Sequence, residues 1–108
     1  MGMMMATISR FNMSESNKDY PVFSGVLAYF PDAIKAVANV SLVGNEQHNS
    51  GEPLNWARSK GGNDLDALAR HLIQAGTMDN DGIRYSAKVA WRALANLQRE
   101  IEEDKQRA

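Results

Sequence analysis

From Ile83 to Ile101 the apolar residues Ile83, Ala87, Ala90, Leu94, Leu97 and Ile101 alternate spacings of four and three, which is the repeat of one helical face. That rhythm predicts a final helix running to about Asp104. The small residues Ala87, Ala90, Ala93 and Ala95 on it let neighbouring helices approach closely on more than one face. No segment alternates at period two for long enough to argue for a strand, and no internal repeat is present.

Two more helices precede it. Asp79-Asn80-Asp81-Gly82 reads as a turn and cap for the final helix. Upstream, Asn63 or Asp64 caps a second helix that ends at Gly76, a residue suited to the left-handed position after a helix. Its apolar stripe is Leu65, Leu68, Leu72 and Ala75, and Asp66 and Arg70 form an i,i+4 pair on the other side. Pro31 suits the first position of a helix and Asp32 its electropositive first turn, so the first main helix runs from Pro31 to about Glu46. There Ile34, Val37, Ala38, Val40 and Leu42 cover much of the circumference, which predicts burial on more than one side. Before it, Tyr20-Pro21-Val22-Phe23 is extended, with Ser24 capping a short helical turn through Phe30. The expected fold is an all-α bundle of three main helices plus this short N-terminal turn, over residues 20–104, behind a loose arm of residues 1–19.

Size and composition set the limits. At 108 residues there is room for one domain, and 44% hydrophobic content excludes a disordered chain. A three-helix domain of this length has a marginal core, so self-association is expected, with a dimer as the minimum. No apolar run approaches the roughly 20 residues of a bilayer span, and no basic flank precedes a long apolar block, which predicts a cytoplasmic protein. Zero Cys excludes disulfides, thiolate metal sites and Cys nucleophiles together. Twelve basic residues against 13 acidic ones leave no overall field for a long nucleic acid. An anionic ligand must therefore be small and met by a local cluster.

Such a cluster stands on the final helix. Arg84, Lys88 and Arg92 lie at i, i+4 and i+8 and span about 80° of its surface, opposite Leu94 and Leu97. No acid of that helix lies three or four positions from Lys88 or Arg92, whereas Arg99 has Glu103 four residues on. An uncompensated basic row is where phosphate groups dock; the other reading is a solvated face with partners such as Asp64 or Asp66 on neighbouring helices. The aperiodic stretch Gly44 to Asn63 adds Asn45, His48, Asn55, Trp56, Arg58 and Lys60, a set able to hydrogen-bond a base, stack on it and meet a phosphate. Trp56 reads equally as an anchor for the loop, and Trp91 as packing. Arg70 and His71 lie off the core stripe of the second helix, where His71 serves either a ligand or the structure.

Catalytic signatures are sparse. Asp79-Asn80-Asp81-Gly82 is like the start of a calcium loop, but its twelfth position is Ala90 instead of Glu. Phosphate-cradling G-x-x-x-x-G-K, the G-x-S-x-G elbow and H-E-x-x-H are all missing. Asp64 and Asp66 are two apart, and Glu100, Glu102, Glu103 and Asp104 crowd the C-terminal end, so no acidic cage for magnesium emerges. No catalytic residue, metal ligand or cofactor is assigned on these grounds.

Several stretches together resemble a known family. They are the run Tyr20 to Ala33, Val43-Gly44-Asn45-Glu46-Gln47-His48-Asn49, Asn55-Trp56, Ala69-Arg70-His71-Leu72, Asp81-Gly82 and Ala90-Trp91-Arg92-Ala93-Leu94-Ala95-Asn96-Leu97. From Tyr20 to about Leu97 the chain resembles the phage-associated dATP/dGTP diphosphohydrolase N-terminal domain. The resemblance implies an all-α domain, phage origin and dealings with nucleotides, with MazG-like pyrophosphohydrolase bundles as candidate kin. In that family His is common where this chain has Tyr85 and Lys88, and Asn where it has Arg92. Those replacements exchange candidate metal or acid/base groups for a phenol and two cations, favouring anion binding over hydrolysis.

The expectation is thus an oligomeric, non-catalytic nucleotide-binding protein of the infected host's cytoplasm. Lys88, Arg92 and Arg70 hold phosphates, and Asn45, Asn55 and Trp56 contact the base. In a phage setting it acts as a sponge for a nucleotide immune signal such as a cyclic oligonucleotide or ADP-ribose derivative. The alternatives are a magnesium-dependent dATP/dGTP diphosphohydrolase, with Glu46, Asp64, Asp66 or Asp79 as ligands across a dimer, and a host-protein interaction module. No long nucleic acid or membrane is expected as a partner.

Overall fold

The computed structural model describes residues 17–59 and 62–107. Most of the expected arm, residues 1–16, lies outside that range, while Asn17–Asp19 form a 3-10 turn. Three long helices follow, α1 over Pro31–His48, α2 over Asp64–Ile73 and α3 over Tyr85–Arg107. The described residues hold no strand, only an isolated bridge between Met78 and Arg84. The chain is all-α, as its periodicity predicts. No helix among the described residues is long and apolar enough to cross a membrane.

The N-terminal turn starts earlier than a Ser24 cap would place it. Gly25 N–H donates to the Pro21 carbonyl at 2.7 Å and Ala28 N–H reaches back five residues to Phe23, giving a π-helical turn over Phe23–Leu27. Pro21 is preorganised to begin a turn and lacks the N–H that a cap would have to satisfy, so Ser24 falls inside the element. Helix α1 begins at Pro31 and runs two residues past Glu46. It is half-buried along one face only, at Ile34, Val37, Val40 and Ser41, whereas Ala38 and Leu42 are exposed. One neighbouring helix, α3, supplies that cover.

Helices α2 and α3 make the main packing pair, and their inner faces are not the Leu stripes. On α2 the buried residues are Asp64 and Ala67, while Leu65 and Leu72 are 59% and 55% exposed. On α3 the buried residues are Ala87 and Ala95, while Leu94 and Leu97 are 53% and 51% exposed. Alanine at the contact brings two backbones close, and the rotation that achieves this turns the bulky residues outward. Of the expected stripe on α3, Ile83 and Ala87 are buried and Ala90 and Ile101 half-buried. The basic row does lie opposite Leu94 and Leu97, but Lys88 and Arg92 on that side are half-buried, while Arg84 ahead of α3 is exposed. Gly76, with φ of 97°, is left-handed after α2 as its position predicts.

Ala67 is 1% exposed, so a larger side chain there must separate the helices. Ala67→Leu is expected to lower the unfolding free energy by about 1–3 kcal/mol, measured by equilibrium denaturation.

Candidate functional site

Between the last turns of α1, the loop after it and the inner face of α3 lies a cleft of about 760 Å3. Its walls carry Trp56 and Trp91, whose rings meet edge to face at 5.7 Å. The Trp91 indole N–H donates to Ser41 Oγ at 2.8 Å, fastening α3 to α1. Trp56 anchors the loop, with the Arg58 guanidinium 4.3 Å and the Arg99 guanidinium 5.1 Å from its ring centre. Its π-system is therefore engaged by cations already.

The buried Asp64 carboxylate sits at one end of this arrangement, its side chain only 2% exposed. It accepts from Arg92 Nη1 at 2.9 Å and from Arg99 Nε at 2.8 Å. Arg99 also donates from Nη1 to the Arg58 carbonyl at 2.9 Å, tying the loop to the same node. Two guanidiniums share this one carboxylate, and of the two Arg92 is the more exposed. Arg99 therefore pairs across to α2 rather than with Glu103.

The opposite end is acidic. Lys88 Nζ lies 2.7 Å from Asp79 Oδ2 and 2.8 Å from Asp81 Oδ2, so the ammonium sits where the turn's calcium-like spacing would put a cation. The other oxygens brace the turn itself rather than capping α3 as expected, Asp79 Oδ1 accepting from Asn80 N–H and Asp81 Oδ1 from Ile83 N–H, both ahead of the helix start at Tyr85. The Lys88 hydrogen bond, followed by that of Asn80 N–H, holds the Asp79 carboxyl down at about 2. Asp81 is lowered chiefly by Lys88 as well. Burial alone would lower the Lys88 ammonium, but its bonds to Asp79 and Asp81 outweigh that and hold it above its ordinary value. His71, whose ring lies 5.9 Å from that of Tyr85, is lowered first by burial and then by Lys88 and Arg92, which favours its neutral form.

The basic row is thus not uncompensated. Lys88 finds its acids across the turn, and Arg92 finds Asp64, one of the two carboxylates that the alternative reading offered. Arg84 is exposed, forms no ion pair with any described residue and stands outside the cleft. Arg70 is also exposed outside it, and the expected Asp66–Arg70 pair does not form, since both side chains are free to extend into solvent. Arg58 points away from the cleft lining to meet Glu102 at 3.4 Å. Lys60 lies outside the described residues. The cleft does bring together Asn45, His48, Asn55 and Trp56 with His71, Lys88 and Arg92.

Asp81, Ser41 and Arg99 are site residues that counting along single helices misses, and Asp64 and Asp79, offered by the sequence as metal ligands, are here the ion-pair partners of Arg92, Arg99 and Lys88. Arg92 and Arg99, seven apart, share a face, and that spacing was the available signal. No group of three or more His, Asp or Glu among the described residues is arranged to hold a metal ion. No family model, curated protein or solved structure matches this chain.

The depressed Asp79 stabilises the fold above its ordinary value of 3.8, and that contribution is lost as pH falls towards about 2. Asp79→Asn is expected to remove this part of the acid limb, so that denaturant unfolding measured between about pH 5 and pH 2 varies less with pH than in the wild type.

Proposed function

We propose that this chain binds a small phosphorylated nucleotide in the cleft and holds it without turnover. The observation that carries the reading is one cleft of about 760 Å3, within the range of small-molecule sites, that joins indole and amide walls to a pair of arginines sharing a single carboxylate. Planar, hydrogen-bonding walls suit a base, and the guanidinium pair beside Asp64 suits a phosphate. Arg92 is the cation best able to respond: its side chain is one-third exposed and it donates to Asp64 from Nη1. A phosphate docking there competes with Asp64 for Arg92, while Arg99 stays on the carboxylate. The resemblance to the dATP/dGTP diphosphohydrolase N-terminal domain also favours a nucleotide. In a phage-infected cell such a binder would sequester a nucleotide immune signal, a cyclic oligonucleotide or an ADP-ribose derivative.

Isothermal titration with a panel of such nucleotides is expected to find one bound tighter than about 10 μM, roughly −6.8 kcal/mol. Arg92→Ala is expected to weaken it at least about tenfold, the loss of one charge-assisted contact, with Arg70→Ala within about twofold because Arg70 is outside the cleft. Recovery of the intact ligand after denaturation fits a binder. Pyrophosphate release from dATP or dGTP with magnesium would instead establish the diphosphohydrolase, and retention of a host protein with no nucleotide the interaction module.

We further propose that the protein acts as a homo-oligomer. No large side chain is fully buried in the described residues, and Leu94 and Leu97 keep half their surface in solvent along α3, a row suited to a second copy. Sedimentation equilibrium is expected to report a dimer or larger species, and the double substitution Leu94→Glu, Leu97→Glu a monomer with its helix content retained.

A further inference from the structure

Asn45 is the one residue among those described with a buried side-chain polar atom lacking any partner, its Oδ1. It belongs to the last turn of α1, is 8% exposed and lines the cleft. Its orientation is fixed: Nδ2 donates to the Glu52 carbonyl at 2.8 Å, so the flipped amide would set oxygen against oxygen. The Trp91 indole N–H, which lines the same cleft, is bonded to Ser41. A buried acceptor left open costs stability, and such an atom in a folded protein calls for a donor from elsewhere.

We infer that Asn45 Oδ1, at the wall of the cleft, takes a hydrogen bond from an N–H of the ligand's nucleobase, a ring imino or exocyclic amino group, once the seated ligand displaces the atoms that now cover it. This rests on the nucleotide reading and adds to it the polarity of the contact. A phosphate, an ether or an unprotonated ring nitrogen brings only lone pairs to Asn45 and is repelled. All four nucleobases carry such a donor, so the contact separates a base-bearing ligand from a bare sugar phosphate, because a site built around a buried polar atom rejects analogues that leave it unpaired.

The test uses the full chain and the four ribonucleoside 5′-monophosphates. For whichever binds most tightly, Asn45→Leu is expected to weaken binding at least about tenfold, while its effect on ribose 5-phosphate, which offers no base N–H, stays within about threefold. Equal losses for the two ligands would show that Asn45 only ties down the loop, overturning the inference while leaving nucleotide binding intact. A measurement on the unmutated protein guards against misfolded variants. On saturation, the Asn45 side-chain amide nitrogen is expected to move downfield in the 15N spectrum, since a hydrogen bond to the amide oxygen strengthens its C–N double-bond character. An unmoved resonance overturns the inference as well. If the wild type binds none of the four and none of the cyclic oligonucleotides or ADP-ribose derivatives of the panel, the nucleotide reading itself fails and this contact with it.

Discussion

The architecture turns on a carboxylate that water does not reach. Asp64, at the first turn of α2, is 2% exposed at its side chain, and removing such a charge from water costs several kcal/mol unless it is fully bonded. Two arginines meet it, Arg92 and Arg99, one helical stretch of seven residues apart on α3. Charge-assisted bonds of that kind are directional, so they set the rotation of α2 about its axis as well as its distance from α3. Arg99 extends the same constraint to the loop through the Arg58 carbonyl and the Trp56 ring. Three separate parts of the chain are positioned by one anionic group.

This explains why the hydrophobic packing looks thin. The buried apolar residues are Ala67, Ile83, Ala87 and Ala95, three of them alanines, which bury little area and contribute correspondingly little to stability. What alanines provide is proximity. With α2 and α3 drawn together, the long side chains of Lys88, Arg92 and Arg99 lie along the inner side of α3 with their heads on carboxylates, the two guanidiniums also near the Trp91 and Trp56 rings and the ammonium near that of Tyr85. The larger apolar residues are displaced to the outside, where Ile73 is 85% exposed and Phe23 72%. The same rotation therefore creates both the polar cleft and the apolar exterior that a second copy would cover.

How much of this could be read from the chain follows from the same physics. Element types were legible because the spacing from Ile83 to Ile101, Pro31 at a helix start and Gly76 at a helix end are local signals. The inward faces were not, because weighting Leu over Ala assumes that bulk points inward, and at Ala67 and Ala95 closeness prevailed over bulk. The cleft was legible in part: Asn45 and His48 in the last turns of α1 and Asn55 and Trp56 in the loop after it lie close in sequence, and His71, Lys88 and Arg92 are helical residues that converge on the same cleft. The charge state was hidden, since Asp79 and Asp81 lie nine and seven residues before Lys88 and reach it only because the turn at Gly82 folds the chain back. Counting acids three or four positions along one helix cannot find a partner brought in by a turn.

The two poles of the cleft differ in what they can give up. At the acidic pole a single ammonium answers two carboxylates, and removing Lys88 would leave Asp79 and Asp81 facing each other uncompensated. At the other pole the ratio is reversed. Arg92 and Arg99 both meet the buried carboxylate, Arg99 tied also to Trp56 and the loop and Arg92 one-third exposed. Under the proposed nucleotide reading, an anion that drew Arg92 away would leave Arg99 on Asp64 and so would create no unpaired interior charge, the one event that low-dielectric surroundings punish heavily. That asymmetry is the physical reason why the proposal places the anionic group at Arg92 rather than at Lys88.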